Sequence, residues 1–256
     1  MRTMRYPAIN NESFSSLRNA LRILQLFTME QPELTLSQLA EKLEVGLSTA
    51  YRLSETLMYE GFIVKDQMSR TFRLGASILG MGNIILSQID LCRYSSLILE
   101  KLAGETGETA HISILKENQV IYLHKADSSH PVHLLSHIGR QNPVHCTSTG
   151  QVILAYQPDP LIDKVLDMGL DRYTLKTITS PSKLKELLVS IRKQGYAFSV
   201  EEMHAGISSI AAPVKDRTGE VIASVSIAGP TSRIHSPKLL KLVQLVKQAA
   251  NDISQL

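Results

Sequence analysis

Residues 35–61, TLSQLAEKLEVGLSTAYRLSETLMYEG, decide the fold of the N-terminal part of the chain. The stretch predicts two short helices joined by a tight turn. The apolar residues of the first helix recur at helical spacing: Leu36, Leu39, Ala40 and Leu43. Thr35 and Gln38 fit a capping box at its start. We expect Gly46 to supply the positive φ that the turn needs, because glycine adopts it without a steric penalty.

The second helix of this stretch has two different faces. Its buried face is predicted from three apolar residues: Ala50, Leu53 and Leu57. Its other face carries short or hydrogen-bonding side chains: Ser48, Thr49, Tyr51, Arg52 and Glu55. A helix of this kind suits the major groove of DNA. An ordinary helical hairpin would give the same pattern, so this stretch alone leaves both interpretations open.

The segments on either side of this helix pair favour the DNA-binding interpretation. Residues 14–29 predict a preceding helix, and residues 62–65 and 71–74 predict a β-hairpin around the polar turn 66–70. Three helices followed by a hairpin make a winged helix-turn-helix. The hairpin carries three cations where DNA phosphates would lie: Lys65, Arg70 and Arg73. We therefore predict DNA contacts from six residues: Ser48, Thr49, Tyr51, Arg52, Lys65 and Arg70.

Composition is compatible with this function but does not demand it. The chain has 256 residues, a 43% apolar fraction and a net charge of +3, which fit one large or two modest globular domains. Basic and acidic residues nearly balance within residues 1–75, so a DNA interface must depend on local placement. Cys92 and Cys146 lie too far apart for a zinc motif. Without a signal peptide or an apolar span, we expect a cytoplasmic protein.

The remainder of the chain predicts a linker helix and an α+β domain. Residues 76–91 have helical periodicity and could pack on a symmetry mate or within one domain. Further helices are predicted over residues 95–106, 148–156, 161–168, 181–194 and 236–255. Strands are predicted over residues 109–115, 120–126, 131–137, 196–200, 207–214 and 221–228, with a loop over 139–145. Helices at both ends and antiparallel strands between them are typical of ligand-sensing domains.

Three stretches together resemble the IclR family of bacterial transcription regulators. They are the winged helix-turn-helix with its flanks SLRNALRILQLF and RTFRLGASIL, the stretch IGRQNPVHCTSTGQVILAY, and the stretch GYAFSVEEMHAGISSIAAPVKDRTGEVIASVSIAGP. The resemblance implies a winged helix-turn-helix over residues 14–75, a linker helix over 76–92 and a GAF-like effector-binding domain over 93–256. It also implies a non-enzymatic regulator that binds operator DNA as a dimer or tetramer, most simply as a repressor of a catabolic operon.

The same resemblance implies an effector pocket of five residues: Ser148, Thr149, Ser199, Ser209 and Ser226. Family members usually have an acid at position 199 and often Cys at 209, so the ligand does not carry over. On the residues alone, Ser148 and Thr149 fit an ordinary N-cap as well as an anion site at a helix start. Hydroxyl and N–H donors without a carboxylate favour a small organic acid, with a sugar-derived keto acid ahead of an aromatic one.

The histidines and cysteines allow alternatives. Six of the eight histidines fall between His111 and His145, which raises a metal site, although no complete ligand set accompanies them. His111, on the polar side of a strand, is expected to be exposed or to reach a pocket. Cys146, next to His145, could be a nucleophile or a small buried residue. We expect neither a metal nor a cofactor, and an enzyme would not explain residues 14–75.

Overall fold

The computed structural model describes residues 15–128, 136–234 and 237–256. The chain divides between Ile85 and Leu86 into two compact units. The helices are α1 (Ser15–Leu26), α2 (Leu36–Leu43), α3 (Leu47–Tyr59), α4 (Ala76–Gln88), α5 (Asp90–Thr106), α6 (Ser148–Leu154), α7 (Asp159–Asp167), α8 (Pro181–Gln194), α9 (Thr231–Ile234) and α10 (Leu239–Ser254). The strands are β1 (Ile63–Lys65), β2 (Phe72–Leu74), β3 (Thr109–Lys116), β4 (Gln119–Ala126), β5 (Gln141–Pro143), β6 (Ala197–Val200), β7 (Ile207–Lys215) and β8 (Val221–Pro230).

The first unit is a winged helix-turn-helix. Helices α1, α2 and α3 enclose an apolar core: Ile23, Leu34, Leu39, Leu43, Leu53, Leu57, Ile63 and Phe72. The predicted capping box of α2 is confirmed, since the Gln38 backbone N–H donates to Thr35 Oγ1 at 3.3 Å and the Thr35 N–H donates to Gln38 Oε1 at 2.8 Å. Leu34 pairs with Phe72 through two backbone hydrogen bonds, which fixes the β1–β2 wing to the segment before α2.

Two local predictions for this unit are wrong. Glu44, with a φ of 57°, takes the left-handed position in the turn, whereas Gly46 has a φ of −67° and caps α3. Helix α1 ends at Leu26 rather than at residue 29, because Thr28 and Gln31 exchange backbone hydrogen bonds of 3.1 and 3.2 Å that form a turn. Both differences arise in short turns, where several residue types can take the special conformation.

The second unit contains a six-stranded antiparallel sheet of order β5-β4-β3-β8-β7-β6. One sheet face packs on α5 and α10 around residues such as Leu99, Ile112 and Val246. Helices α6, α7 and α8 form a second core with Val120, Ala197 and Ala211 of the sheet. The predicted mixed α+β fold is confirmed. No helix in the described residues has the length and apolar character needed to cross a bilayer.

From α4 onward, the largest differences from the predicted boundaries lie at the break between α4 and α5 and in the segment before α6. Helix α4 ends at Gln88 rather than at residue 91, and α5 starts at Asp90 rather than at residue 95. The break is Ile89, whose extended backbone (φ −97°, ψ 94°) interrupts the helical path. The predicted loop over residues 139–145 contains β5 and most of a 3₁₀ turn (Val144–Cys146). The strand predicted over 131–137 lies mostly outside the described residues.

Candidate functional site

Helix α3 presents the two faces that the sequence predicted. Its buried side consists of Ala50, Leu53, Ser54 and Leu57. The four residues predicted to contact DNA are exposed on the other side: Ser48, Thr49, Tyr51 and Arg52. The Tyr51 hydroxyl hydrogen-bonds to Glu55, and this bond raises the pKa of the phenol. Glu55 thereby holds Tyr51 along the helix, one turn away. Contact with DNA stays a prediction for all four.

The wing holds its two predicted cations in different ways. The Lys65 ammonium lies 5.5 Å from the centre of the Phe72 ring, within range of a cation–π interaction. Arg70 is exposed in the turn, with a φ of 55°. The Asp66 carboxylate accepts backbone N–H groups from Ser69 at 2.8 Å and Met68 at 2.9 Å, and these bonds lower its pKa. By accepting these two N–H groups, the Asp66 carboxylate orders the turn that presents Arg70.

All five predicted effector residues line one cavity of the second unit: Ser148, Thr149, Ser199, Ser209 and Ser226. Strand register brings the serines of the sheet together, because Ser199 pairs with Ser209 and Ser226 pairs with His111. Paired residues on neighbouring strands point to the same face. The Ser148 hydroxyl donates to Ser209 Oγ at 2.8 Å and so joins α6 to β7. The cavity has a volume of about 70 Å³.

The start of α6 forms one wall of this cavity. Thr147, and not Ser148, is the N-cap: its Oγ1 accepts the Gly150 N–H at 3.2 Å and donates to the Pro143 carbonyl at 3.0 Å. Ser148 and Thr149 therefore occupy the first turn, and both line the cavity. A Cβ at Gly150 would lie 2.3 Å from Val144 Cα, so only glycine permits this close contact between α6 and the 3₁₀ turn.

His111 is a buried cavity residue, so of the two alternatives expected for it, exposure is wrong and reaching a pocket agrees with the structure. It is only 1% exposed, stacks on Tyr122 with ring centres 4.7 Å apart, and pairs its Nε2 with Ser136 Oγ at 2.9 Å. Burial lowers its pKa to about 4, so the ring is neutral at pH 7. Strand alternation predicted the polar side correctly, but it could not predict that α6 and the 3₁₀ turn cover that side.

Two buried polar atoms of the cavity wall lack a hydrogen-bond partner within the described parts of the chain. They are His111 Nδ1 and Thr149 Oγ1. The Thr149 hydroxyl is near enough to Tyr122 to offset part of the rise that burial causes in the pKa of the phenol, without forming a well-aligned bond. A buried polar group without a partner costs about 1–3 kcal/mol. Both atoms could regain that energy from a polar molecule in the cavity.

Arg140 is the main site residue that the sequence argument missed. It lines the cavity beside Asn142, to whose Oδ1 its Nε donates at 3.3 Å. The Arg140 carbonyl accepts the Tyr122 N–H at 3.1 Å, so its backbone is fixed to β4. His204 is exposed at the rim, and its pKa is lowered mainly because nearby protein atoms reduce the hydration of the ring and, second, because of the charge on Arg140. Arg140 lies in the stretch IGRQNPVHCTSTG, which is part of the resemblance to the family. Its place in that stretch was the one signal in the sequence that could have indicated this residue.

The nucleophile and metal alternatives find no supporting geometry. Burial raises the pKa of the Cys146 thiol, whose sulfur lies 3.5 Å from Met203 Sδ. His145 instead pairs its Nε2 with the Asp171 carbonyl at 2.9 Å. Among the described residues, no three histidine, cysteine, aspartate or glutamate side chains cluster as a metal site would require. His130 and His133 lie outside those residues.

Comparison with known proteins agrees with both units. Residues 84–255 match the model for the C-terminal domain of bacterial IclR transcriptional regulators, and residues 16–67 match the IclR helix-turn-helix domain. The chain is 34% identical to the transcriptional regulator KdgR of Escherichia coli over 95% of this chain and 92% of that protein. It is 30% identical to the E. coli transcriptional repressor IclR, over 93% of this chain and 88% of that protein.

The fold agrees equally well with a solved structure. An IclR transcriptional regulator from Alicyclobacillus acidocaldarius superposes with a TM-score of 0.83 and 30% identity, covering 95% of this chain and 99% of that one. The likeness in sequence and in structure spans the helix-turn-helix and the sheet domain together. The chain therefore belongs to the IclR family of bacterial transcriptional regulators, whose DNA-binding helix-turn-helix it carries at its N-terminal end.

Proposed function

We propose that this protein represses a catabolic operon and that a small organic acid, bound in the cavity of the second unit, changes its affinity for the operator. In this proposal residues 14–75 bind double-stranded DNA in the cytoplasm, 76–92 form a linker helix, and 93–256 bind the effector. The 30% identity to a transcriptional repressor supports repression. An enzyme on the second unit is disfavoured, because it would leave the exposed polar face of α3 without a role.

The charge of the cavity wall carries the proposal for the ligand. Among the described residues, the wall contains no aspartate or glutamate and a single guanidinium, that of Arg140. Glu202 does not line the cavity: it lies behind this wall, accepts hydrogen bonds from Gln151 and Ser199, and has a pKa that burial raises. Ser199 adds a hydroxyl without a charge. A wall of donors with one cation favours an anion.

The size and chemistry of the cavity narrow the ligand further. A volume of about 70 Å³ is small beside the roughly 300–1,000 Å³ of pockets that hold drug-sized molecules. Five of the residues lining it contribute hydroxyls from serine or threonine at the predicted positions, while Tyr122 and the two histidines supply the rings. A short acid with hydroxyl or keto groups would use these donors better than an aromatic ring would. We therefore place a sugar-derived keto acid ahead of aromatic acids.

The DNA part of the proposal assigns roles to the exposed residues of the first unit. Ser48, Thr49, Tyr51 and Arg52 enter the major groove, with Arg52 the best suited to bind guanine O6 and N7 together. Lys65 and Arg70 on the wing contact phosphates. One winged helix makes few contacts with DNA, so a dimer or tetramer on a palindromic site would supply additional ones. The exposed apolar residues of α4, Leu79, Ile84 and Ile85, would support such pairing.

The experiment begins by selecting an operator from random duplexes with the full-length protein. Gel shifts on that operator are then repeated with sugar acids, keto acids and aromatic acids, and binding of each compound is measured by calorimetry. We expect one class of acid to bind and to change operator affinity. The change can be no larger than the ligand's differential affinity for the two protein states. A protein that selects no sequence, or whose best ligand is a neutral or cationic compound, would refute the proposal.

A further inference from the structure

We propose that the acid binds with its carboxylate at the mouth of the cavity, on Arg140, and with its hydroxylated tail at the closed end among the serines. This orientation rests on the proposed function, because it presupposes an acidic effector in this cavity. It reverses the simpler expectation that the carboxylate would sit at the start of α6. Arg140 thereby becomes the residue that distinguishes acids from their neutral analogues.

Exposure defines the two ends of the cavity. The closed end consists of fully buried side chains, with Ser148 at 0%, His111 at 1% and Ser226 at 2% exposure. The mouth consists of Arg140, which is partly exposed, and His204, which is exposed. The only full charge among the described wall residues is therefore at the solvent-exposed mouth. The buried closed end offers hydroxyl groups and an imidazole.

The closed end is poorly suited to a carboxylate. Burying an ionised group is costly unless an opposite charge or several donors compensate for it. The Ser148 hydroxyl is already committed to Ser209, and Thr147 already takes the Gly150 N–H of the first turn of α6. His111 cannot provide a positive charge, since its ring is neutral at pH 7. These groups match a hydroxyl, which both donates and accepts, and a keto oxygen, which accepts without carrying a charge.

The two unpartnered buried atoms fit the tail of such a ligand. Thr149 Oγ1 can donate or accept, and the tautomer of His111 decides whether its Nδ1 does one or the other. A hydroxyl group offers a donor and an acceptor together, so a polyhydroxy tail can satisfy both atoms. A carboxylate can only accept, so it would satisfy fewer of these combinations.

Hydrogen bonds of its backbone and side chain hold Arg140 in place at the mouth. Arg140 N–H donates to the His137 carbonyl at 3.0 Å, and Gly139 N–H donates to the Tyr122 carbonyl at 2.7 Å, so the turn is tied to β4. The bond from Arg140 Nε to Asn142 orients the guanidinium. A fixed guanidinium binds a carboxylate through charge-assisted hydrogen bonds with little loss of side-chain freedom. At the mouth, the carboxylate also keeps part of its water.

The test compares acids with their amides, which differ only at the carboxyl group. The pairs are gluconate with gluconamide, pyruvate with pyruvamide, and 4-hydroxybenzoate with 4-hydroxybenzamide. Calorimetry is done on the full-length wild type, Arg140→Met, Arg140→Lys and Ser148→Ala. Arg217→Met serves as the control, because Arg217 is exposed in the β7–β8 turn and does not line the cavity. Operator binding by each variant verifies that it is folded.

The orientation predicts a specific pattern of affinities. Arg140→Met should weaken the acid roughly ten- to hundredfold, the range expected for a hydrogen bond to a charged group, and change the amide less than about threefold. Arg140→Lys should keep most of the preference for the acid. Ser148→Ala should weaken acid and amide by a similar factor, because it acts on the tail, and Arg217→Met should change neither.

Two results would overturn the proposed orientation, and a third would overturn the proposed class of ligand as well. If Arg140→Met keeps the wild-type ratio of acid to amide affinity, Arg140 does not hold the carboxylate. If Ser148→Ala erases that ratio, the carboxylate lies at the closed end. If the wild type binds amides better than acids, or binds no acid while it still binds its operator, the proposed ligand class fails and the orientation fails with it.

Discussion

Gly150 provides a sharp test of how the cavity wall is built. A Cβ at this position would lie 2.3 Å from Val144 Cα and 2.4 Å from the Val144 carbonyl oxygen, both backbone atoms. Ordinary contacts of this kind are more than 1 Å longer, so Gly150→Ala must push the 3₁₀ turn away from α6. Overpacking of this kind typically costs about 1–3 kcal/mol, or more where backbone must move. The usual gain of about 1 kcal/mol for alanine in a helix offsets part of this cost.

Gly104 supplies a matched control in the same unit. It lies in α5, is exposed, and would place its Cβ in open space with no atom within 4 Å. Gly104→Ala should therefore stabilise the unit by up to about 1 kcal/mol. The same chemical change is thus expected to have opposite signs at Gly150 and Gly104. Thermal unfolding should place the Gly150→Ala midpoint lower, by about 2–4 °C for each kcal/mol of difference at this size.

The assay should also measure ligand binding, because the displaced turn carries Cys146 and precedes Ser148 of the cavity. We expect Gly150→Ala to weaken the best acid of the panel while operator binding is retained. A Gly150→Ala protein as stable as the wild type, or as stable as Gly104→Ala, would show that the contact between α6 and the 3₁₀ turn is not as close as described.

Four further substitutions test other parts of the molecule. Arg52→Ala should relax base preference at one operator position by about 1–3 kcal/mol, whereas Arg70→Ala should weaken all sequences alike and flatten the salt dependence, both measured by gel shift. Ser199→Asp should weaken binding of an acid in calorimetry, and stronger binding would contradict the charge argument. Burial raises the folded-state pKa of Glu202 above its unfolded value, so its stability contribution falls as pH rises through the folded pKa. Glu202→Gln should remove that loss, so urea unfolding should show a smaller fall in stability between pH 5 and pH 8 in the variant than in the wild type.

The sequence was sufficient for the architecture because its signals were periodic and repeated. The apolar spacing of α2 and α3, the capping box at Thr35 and the limits of α8 all follow from local patterns, and the structure agrees with them. The wrong predictions occur where the backbone conformation of a single residue decides where a helix ends or how a turn is formed. Ile89 interrupts the helical pattern although neither glycine nor proline lies next to it. Glu44 takes the left-handed position in the turn although Gly46 is two residues away. Tertiary packing decides such cases, and local propensity does not.

The cavity was predictable only in part, for a related reason. Its five hydroxyl residues came from resemblance to a family; they line one cavity, three of them on strands and two on α6. Arg140, His111 and His204 come from three separate segments, and nothing in their spacing indicates that they meet. Burial is also set by neighbours: the sequence left His111 either exposed or in a pocket, because strand alternation reports which side a residue faces and not what covers that side.

These missed residues change the electrostatic argument for the ligand. From the sequence, the preference for an acid depended on the start of α6, yet Thr147 already caps that seven-residue helix and its first-turn hydroxyl at Ser148 bonds to Ser209. The preference now depends on a guanidinium at the mouth and on the lack of carboxylates among the described wall residues. The same ligand class is thus favoured for a different physical reason. Only the second reason predicts that a single substitution, at Arg140, separates acids from amides.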